Sequence, residues 1–290
     1  MRHFEPMTAH PFDAALQLKP DSEINPDQFS GATSQAWWNM VGPFGGISAA
    51  IAISAVLKHP DCLGEPVSLT INFAGAMTQG DFTVIAKPVR TNRSTQHWML
   101  TVHQMDSTGQ ELVALTGTAM TAVRRETWSV NDMPMPDVEL PHTVERLLPP
   151  SKSVEWIRRY DMRPVTGPLP SVWDGGAPSE DPLHASLTQL WIRDEPPRAL
   201  DFASLTAMAD VFFPRVWLRR SVQVPVGTVS LTVYFHACST QLAEAGTTGY
   251  VLGQARGQAF RNGFFDQAGQ IWSKSGTLLA TTHQLVYYKE

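Results

Sequence analysis

Along residues 67–73, Val67, Leu69, Ile71 and Phe73 alternate with Ser68, Thr70 and Asn72, and along 229–235, Val229, Leu231, Val233 and Phe235 alternate with Ser230, Thr232 and Tyr234. A period of two residues is the mark of a strand with one buried face. The two stretches are also nearly the same text. VSLTINFA from Val67 and VSLTVYFH from Val229 agree at five of eight positions, 229 − 67 = 162 residues apart.

The surroundings repeat too. Ahead of the first copy, FGGISAAIAISAVLK (44–58) carries Ile47, Ile51, Ile53, Val56 and Leu57 separated mostly by Ala and Ser. A helix apolar or small on nearly every side must be enclosed. Ahead of the second copy, DFASLTAMADVFF (201–213) reads as a helix with Asp201 as its N-cap and Pro214 as its stop. Further strands are expected over 82–90, 96–105 and 112–123 in the first half, and over 249–260, 269–272 and 277–288 in the second. Gly109 and Gly276 each open a turn into the closing strand.

Five prolines (134, 136, 141, 149 and 150) interrupt residues 126–153, which read as a linker between units 1–125 and 154–290. A second stretch, 163–184, holds Pro164, Pro168, Pro170, Pro178, Pro182 and Gly175-Gly176, and is expected to be a long loop. One enclosed helix followed by a long antiparallel sheet, written twice, predicts an α+β double hot-dog fold in which each curved sheet wraps a long helix.

The segments WWNMVGPFGGISAA, EPVSLTINFAGAMTQGDF, MADVFFP, GTVSLTVYFH and GTLLATTHQ, in this order, make the chain resemble the TesB-like (type II) acyl-CoA thioesterases, which are tandem hot dogs. The likeness covers nearly everything outside the two Pro-rich stretches. It implies a catalytic Asp on the second helix, a Thr just before the second repeated strand and a Gln on the closing strand, here Asp210, Thr228 and Gln284. The repeat offers a comparison for two of these. Asp210 lies 19 residues before Val229, and 19 before Val67 stands Ser48; Gln284 lies eight after Gly276, and eight after Gly109 stands Gly117. An acid and an amide in one half against a hydroxyl and no side chain in the other predict one competent site and one degenerate one.

Thioester hydrolysis needs a base for water and donors for the oxyanion, but little help for the leaving thiol, whose pKa is about that of cysteine, roughly 8.5. Asp210, beside Val211, Phe212 and Phe213, is expected to be desolvated and its pKa raised. Gln284 shares a face with Ala280, Thr282 and Val286, so its amide needs a partner. Thr228 has the parity of Ser230 and Thr232, away from the apolar face, and can point inward only if the strand bulges. Backbone N–H groups at Gly45 and Gly46, opening the first helix, are candidates to hold the oxyanion, with Gly46 facing Asp210 across the units. The same glycines also suit a plain tight turn. Trp37 and Trp38 either line an acyl pocket or fill the core, and Trp38 is carried as a candidate substrate contact.

Composition narrows the alternatives. The chain has 290 residues, 43% hydrophobic and 17% charged, with a net charge of −5 and a pI near 6.0, so neither nucleic acid nor an anionic membrane is the expected partner. The opening residues lack the apolar run of a secretory signal and no span is long enough for a membrane, which makes the cytoplasm the expected location. Cys62 and Cys238 are expected to be reduced thiols. No Gly-x-Ser-x-Gly elbow, phosphate loop or dinucleotide fingerprint occurs, and none of the nine histidines is paired at metal-ligand spacing, so no cofactor or metal is expected. Arg90, Arg93, Arg219, Arg220 and Arg261 suit coenzyme A phosphates or solvated faces equally well. The expected activity is hydrolysis of an acyl-CoA or a carrier-bound acyl thioester by Asp-activated water, in a chain that can form homo-oligomers. The second reading is a non-hydrolytic hot dog that binds acyl-CoA or serves a biosynthetic pathway as an acyltransferase or dehydratase.

Overall fold

A computed structural model describes residues 9–150, 153–176 and 185–290. A short helix α1 (Pro11–Ala15) precedes the strands β1 (Lys19–Pro20) and β2 (Gln28–Ala32), the long helix α2 (Gly45–Lys58), and strands β3 (Glu65–Phe73), β4 (Asp81–Thr91), β5 (Thr95–Met105) and β6 (Glu111–Ala122). The second half continues with β7 (Tyr160–Thr166), β8 (Thr188–Asp194), α3 (Phe202–Met208), α4 (Arg215–Arg220), β9 (Val226–Phe235), α5 (Ser239–Thr248), β10 (Val251–Arg256), β11 (Phe260–Arg261), β12 (Phe264–Ser273) and β13 (Leu278–Tyr288).

All thirteen strands join one sheet, whose path runs β1-β2-β4-β5-β6-β3-β9-β13-β12-β10-β8-β7, with β11 pairing beside β12. Read outward from the β3–β9 junction, the two halves follow the same sequence of strands. The duplicated segments therefore lie against each other. β3 and β9 pair antiparallel with Thr70 opposite Thr232, its own repeat counterpart (70 + 162 = 232), and their hydroxyl oxygens meet at 3.1 Å. A pseudo-twofold axis passes between these threonines. The apolar partners Leu69, Ile71, Leu231 and Val233 face inward and are fully buried in a core that both halves share.

The helices obey the repeat less strictly. Shifted by 162, α2 corresponds to residues 207–220, and in the second half this length is broken: α3 ends at Met208, Ala209 and Asp210 form a turn, and α4 starts after Pro214. The helix expected over 201–213 is thus shorter, and Asp210 sits just beyond its end rather than within it. Proline lacks the N–H and its ring collides with the preceding turn, so the chain cannot run straight through Pro214. Asp201 caps α3 as expected, accepting the Ser204 N–H at 2.8 Å while Ser204 Oγ accepts the Asp201 N–H at 3.0 Å.

Three further expectations change. The loop over 163–184 begins as strand β7, where Pro164 is tolerated because the strand forms the sheet's edge; its part 177–184, with Pro178 and Pro182, lies outside the described residues. The strand expected over 249–260 is β10, and Gly249 is the left-handed cap ending α5. The strand expected over 269–272 starts earlier, at Phe264. The Pro-rich stretch from 126 has no helix or strand through residue 150, yet it packs as a strap across the second half. Trp191 Nε1 donates to Glu139 O at 2.7 Å, Trp272 Nε1 to Met133 O at 3.2 Å, and Arg163 Nη1 to Pro141 O at 2.8 Å. Met135, Val138 and Val144 cover the outward Trp191, Tyr250 and Leu252, so apolar side chains on the outer sheet face are removed from water. Among the described residues no helix is long and apolar enough to cross a membrane.

Candidate active site

At the seam between the halves lies a cavity of about 520 Å³, within the range of small-molecule sites. Its walls come from both units: Phe44, Gly45, Ser48, Phe73, Met77 and Leu115 from the first, and Asp210, Phe212, Trp217, Thr228, Gln284 and Val286 among those from the second. Asp210 is the only charged side chain in the described lining, which contains no Lys, Arg or His. A separate hollow of about 450 Å³, bounded by Lys19, Asp81, His103 and Glu111, shares no residue with it.

Asp210 reaches the seam because the helix break releases it from α3 toward the start of α2. Gln284 Nε2 donates to its Oδ1 at 2.7 Å, and the Gly46 backbone N–H also donates to the carboxylate. Its Oδ2 lies against Gly45, where a Cβ would stand only 2.7 Å away. Burial raises the pKa of this carboxyl to about 7, against the lowering effect of the Gln284 and Gly46 hydrogen bonds. The group is enclosed by protein yet keeps an edge on the cavity, so it is desolvated and reachable at once.

Thr228 reaches the same wall through an irregularity. Leu285 opposes Ser230 and Val286 opposes Thr228, which leaves Val229 unopposed. This bulge reverses the side-chain parity, so Thr228 faces inward with Val286 and Gln284, although Ser230 and Thr232 face out. The same bulge recurs at Val67, between the pairs Pro66–Thr121 and Ser68–Met120. Pairing also corrects one counterpart. Gln284 opposes Leu231 and Ala119 opposes Leu69, so the position equivalent to Gln284 is Ala119 rather than Gly117. Counting from the turns fails because the first-half hairpin has five residues from Gly109 to its bulge at Ala114, against three from Gly276 to that at Leu279. The equivalent positions in the first half are therefore Ser48, Pro66 and Ala119, a hydroxyl and two side chains without polar atoms. Ser48 donates to Phe44 O at 3.3 Å and lines the same cavity.

Gly45 lines the cavity, and Gly46, behind it, packs so closely that a Cβ would meet Ala207 O at 2.6 Å. Trp38 stands apart: it is not among the lining residues, and its carbonyl accepts the Trp156 N–H at 3.3 Å. Trp37 fills the core, edge-on to Phe12 and Tyr160. Arg90, Arg93, Arg219, Arg220 and Arg261 do not line the cavity either. The sequence reading missed Gln267, which is 2% exposed, lines the cavity and donates through Nε2 to Gln284 Oε1 at 3.1 Å. It shares parity with Gly269 and Ile271, so a strand begun at Phe264 would have revealed an amide on the inward face. Among the described residues no three His, Cys, Asp or Glu side chains are grouped as metal ligands.

Comparisons with other proteins agree with this architecture. Residues 34–122 match the family model for the acyl-CoA thioesterase N-terminal domain, and residues 132–288 that for the acyl-CoA thioesterase C-terminal domain. A hot-dog protein of unknown function from Alicyclobacillus acidocaldarius is 43% identical, with 98% of this chain and 99% of that one covered and a TM-score of 0.86. The acyl-CoA thioesterase II TesB2 of Mycobacterium marinum is 18% identical over 96% of this chain and 98% of its own, with a TM-score of 0.69. A tesB protein of Mycobacterium avium subspecies paratuberculosis is 15% identical over 96% and 98%, with a TM-score of 0.70. No curated protein shows significant sequence similarity. With both of its halves matched and the paired sheets continuous across the seam, the chain belongs to the acyl-CoA thioesterase family and has its double hot-dog fold.

Proposed function

We propose that Asp210 is the general base of thioester hydrolysis, acting on a water held in the seam cavity. The observation that carries this reading is the setting of its carboxyl: Gln284 holds one oxygen, the cavity reaches the group, and burial raises its pKa to about 7. A base poised near the working pH combines a sizeable ionised fraction with real proton affinity. Oδ1 is taken by Gln284, so Oδ2, on the Gly45 side, is the oxygen that receives the water's proton. Thr228, turned inward by the bulge, holds the water in line. The α2 start has no side-chain cap, and the Gly45 N–H has no acceptor within the helix. That donor, at the positive end of the dipole, meets the thioester oxygen as it gains charge, while Gly46 is engaged with the carboxylate.

Water attacks the acyl carbon, its proton passes to Asp210, and the tetrahedral intermediate expels the thiolate, which needs little protonation to leave. The lining without cations suits a neutral, apolar acyl group and the pantetheine arm, and leaves the nucleotide phosphates outside this cavity. The absence of histidine from the described lining weighs against a dehydratase, where a second acid–base group beside the carboxylate would be expected.

The test is thiol release over short, medium, long and aromatic acyl-CoAs, with carrier-bound acyl groups assayed alongside. Asp210→Asn is expected to lose on the order of a hundredfold or more in kcat. Unchanged turnover in that variant would remove Asp210 from the reaction.

A further inference from the structure

The side chain that holds Asp210 is itself held. Gln267 on β12 stands directly opposite Gln284 on β13, and both are nearly inaccessible, at 2% and 5% exposure. A primary amide has one acceptor atom and two donor hydrogens, and every one of these in Gln284 is committed. Its Oε1 accepts from Gln267 Nε2 at 3.1 Å, and its Nε2 donates to Asp210 Oδ1 at 2.7 Å and to Ala209 O at 3.4 Å.

We infer that Gln267 is a positioning residue that locks the Gln284 amide with its NH₂ toward Asp210 and so favours the ionised carboxylate; this rests on the reading of Asp210 as base. The two ends of an amide are nearly the same in size, and a half-turn exchanges them. Turned round, Gln284 would offer its oxygen to a protonated Asp210, whose O–H can donate to it. That arrangement stabilises the form that cannot accept a proton from water. The Ala209 carbonyl can only accept, so it keeps the Gln284 NH₂ on the Asp210 side, and Gln267 Nε2 completes that arrangement; Gln284 turned by itself would set oxygen against the Ala209 carbonyl and NH₂ against NH₂, which is costly for two amides so nearly inaccessible. The preference thus passes from Gln267 through Gln284 to the charge on Asp210, although Gln267 touches neither the carboxylate nor the acyl carbon. In the first half Ala119 replaces Gln284, and no such chain can form there.

The experiment is the pH dependence of kcat and kcat/KM for Gln267→Met and Gln267→Glu, with Asp210→Asn in parallel. Methionine fills the slot without a donor, and its acid limb should move upward by about half a unit to one unit with KM within about twofold of wild type. Glutamate, when ionised, only accepts, so it turns the Gln284 amide round and should lower kcat on the order of tenfold below the methionine variant. Gln267→Asn, an amide one methylene short, must shift the limb in the same direction and serves if methionine prevents folding. Superimposable pH profiles in wild type and Gln267→Met, or equal behaviour of the Met and Glu variants, would overturn the inference while Asp210→Asn stays inactive. Full activity in Asp210→Asn would instead overturn the reading on which it stands.

Discussion

Asp210 shows what a buried ionisable residue costs a fold. A carboxyl whose folded pKa of about 7 exceeds its unfolded value of about 3.9 holds its proton more tightly in the folded chain. The folded state is therefore favoured by this group at low pH, and the benefit is lost as pH rises from about 4 to about 7. Asp210→Asn removes the titration, so its stability gain over wild type should be larger at pH 8 than at pH 5, by on the order of 2 kcal/mol, measured by urea unfolding at both pH values. An equal gain at both would contradict the assignment. Asp194, whose pKa burial also raises to about 7, contributes a trend of the same sign but is common to both proteins, so it cancels in the difference. At Gly45 activity and stability separate. An added methyl would lie 2.7 Å from Asp210 Oδ2 and 3.3 Å from the Phe73 ring, while helix propensity favours alanine over glycine. Gly45→Ala should lose about tenfold to a hundredfold in kcat while its Tm changes little; a variant of full activity would show that Oδ2 has room to spare.

Among the elements, the broken helix is what brings Asp210 to the seam cavity. The segment between α3 and α4 is pinned by Arg215, a fully buried guanidinium with no carboxylate partner among the described residues. It donates to Phe213 O at 2.9 Å, to Ser186 O at 2.9 Å, to Thr188 Oγ1 at 2.8 Å and to Ala255 O at 3.2 Å, tying the break to β8 and the end of β10. Burial pulls its pKa down to about 9, and the ring of carbonyls compensates for lost water. Arg215→Met keeps the apolar stem but leaves these acceptors without a donor, so a loss of about 3 kcal/mol or more is expected from denaturant unfolding. A loss below about 1 kcal/mol would mean that the break is held by other contacts. The bulge at Val229 works at the same scale, turning one threonine inward without disturbing the pairing beyond it.

The whole molecule behaves as one body because its two units share a sheet and a core. β3 and β9 would each be an exposed edge without the other, and the inward residues of both belong to a single cluster. Loss of secondary structure and loss of thiol release should therefore coincide along one urea titration. Two separated transitions would show that the halves unfold independently. Under the proposed mechanism the seam gives each chain one competent site. Asp210, Thr228 and Gln284 come from the second half, whereas the helix start that faces them comes from the first.

Much of this was legible in the residues. Alternation fixed the strand faces and the five-in-eight identity announced the duplication, while the resemblance to TesB-like thioesterases pointed to the acid at 210 and the amide at 284, whose apolar neighbours marked both as needing partners. Three things depended on distant contacts. Which strands meet at the seam follows from burial of both apolar faces together, the inward turn of Thr228 follows from a bulge that parity counting cannot see, and the amide of Gln267 acquires meaning only opposite Gln284. Sequence specifies which side chains are to be buried; the packed sheet determines which of them then have only one another for hydrogen-bond partners, because water is no longer there to serve.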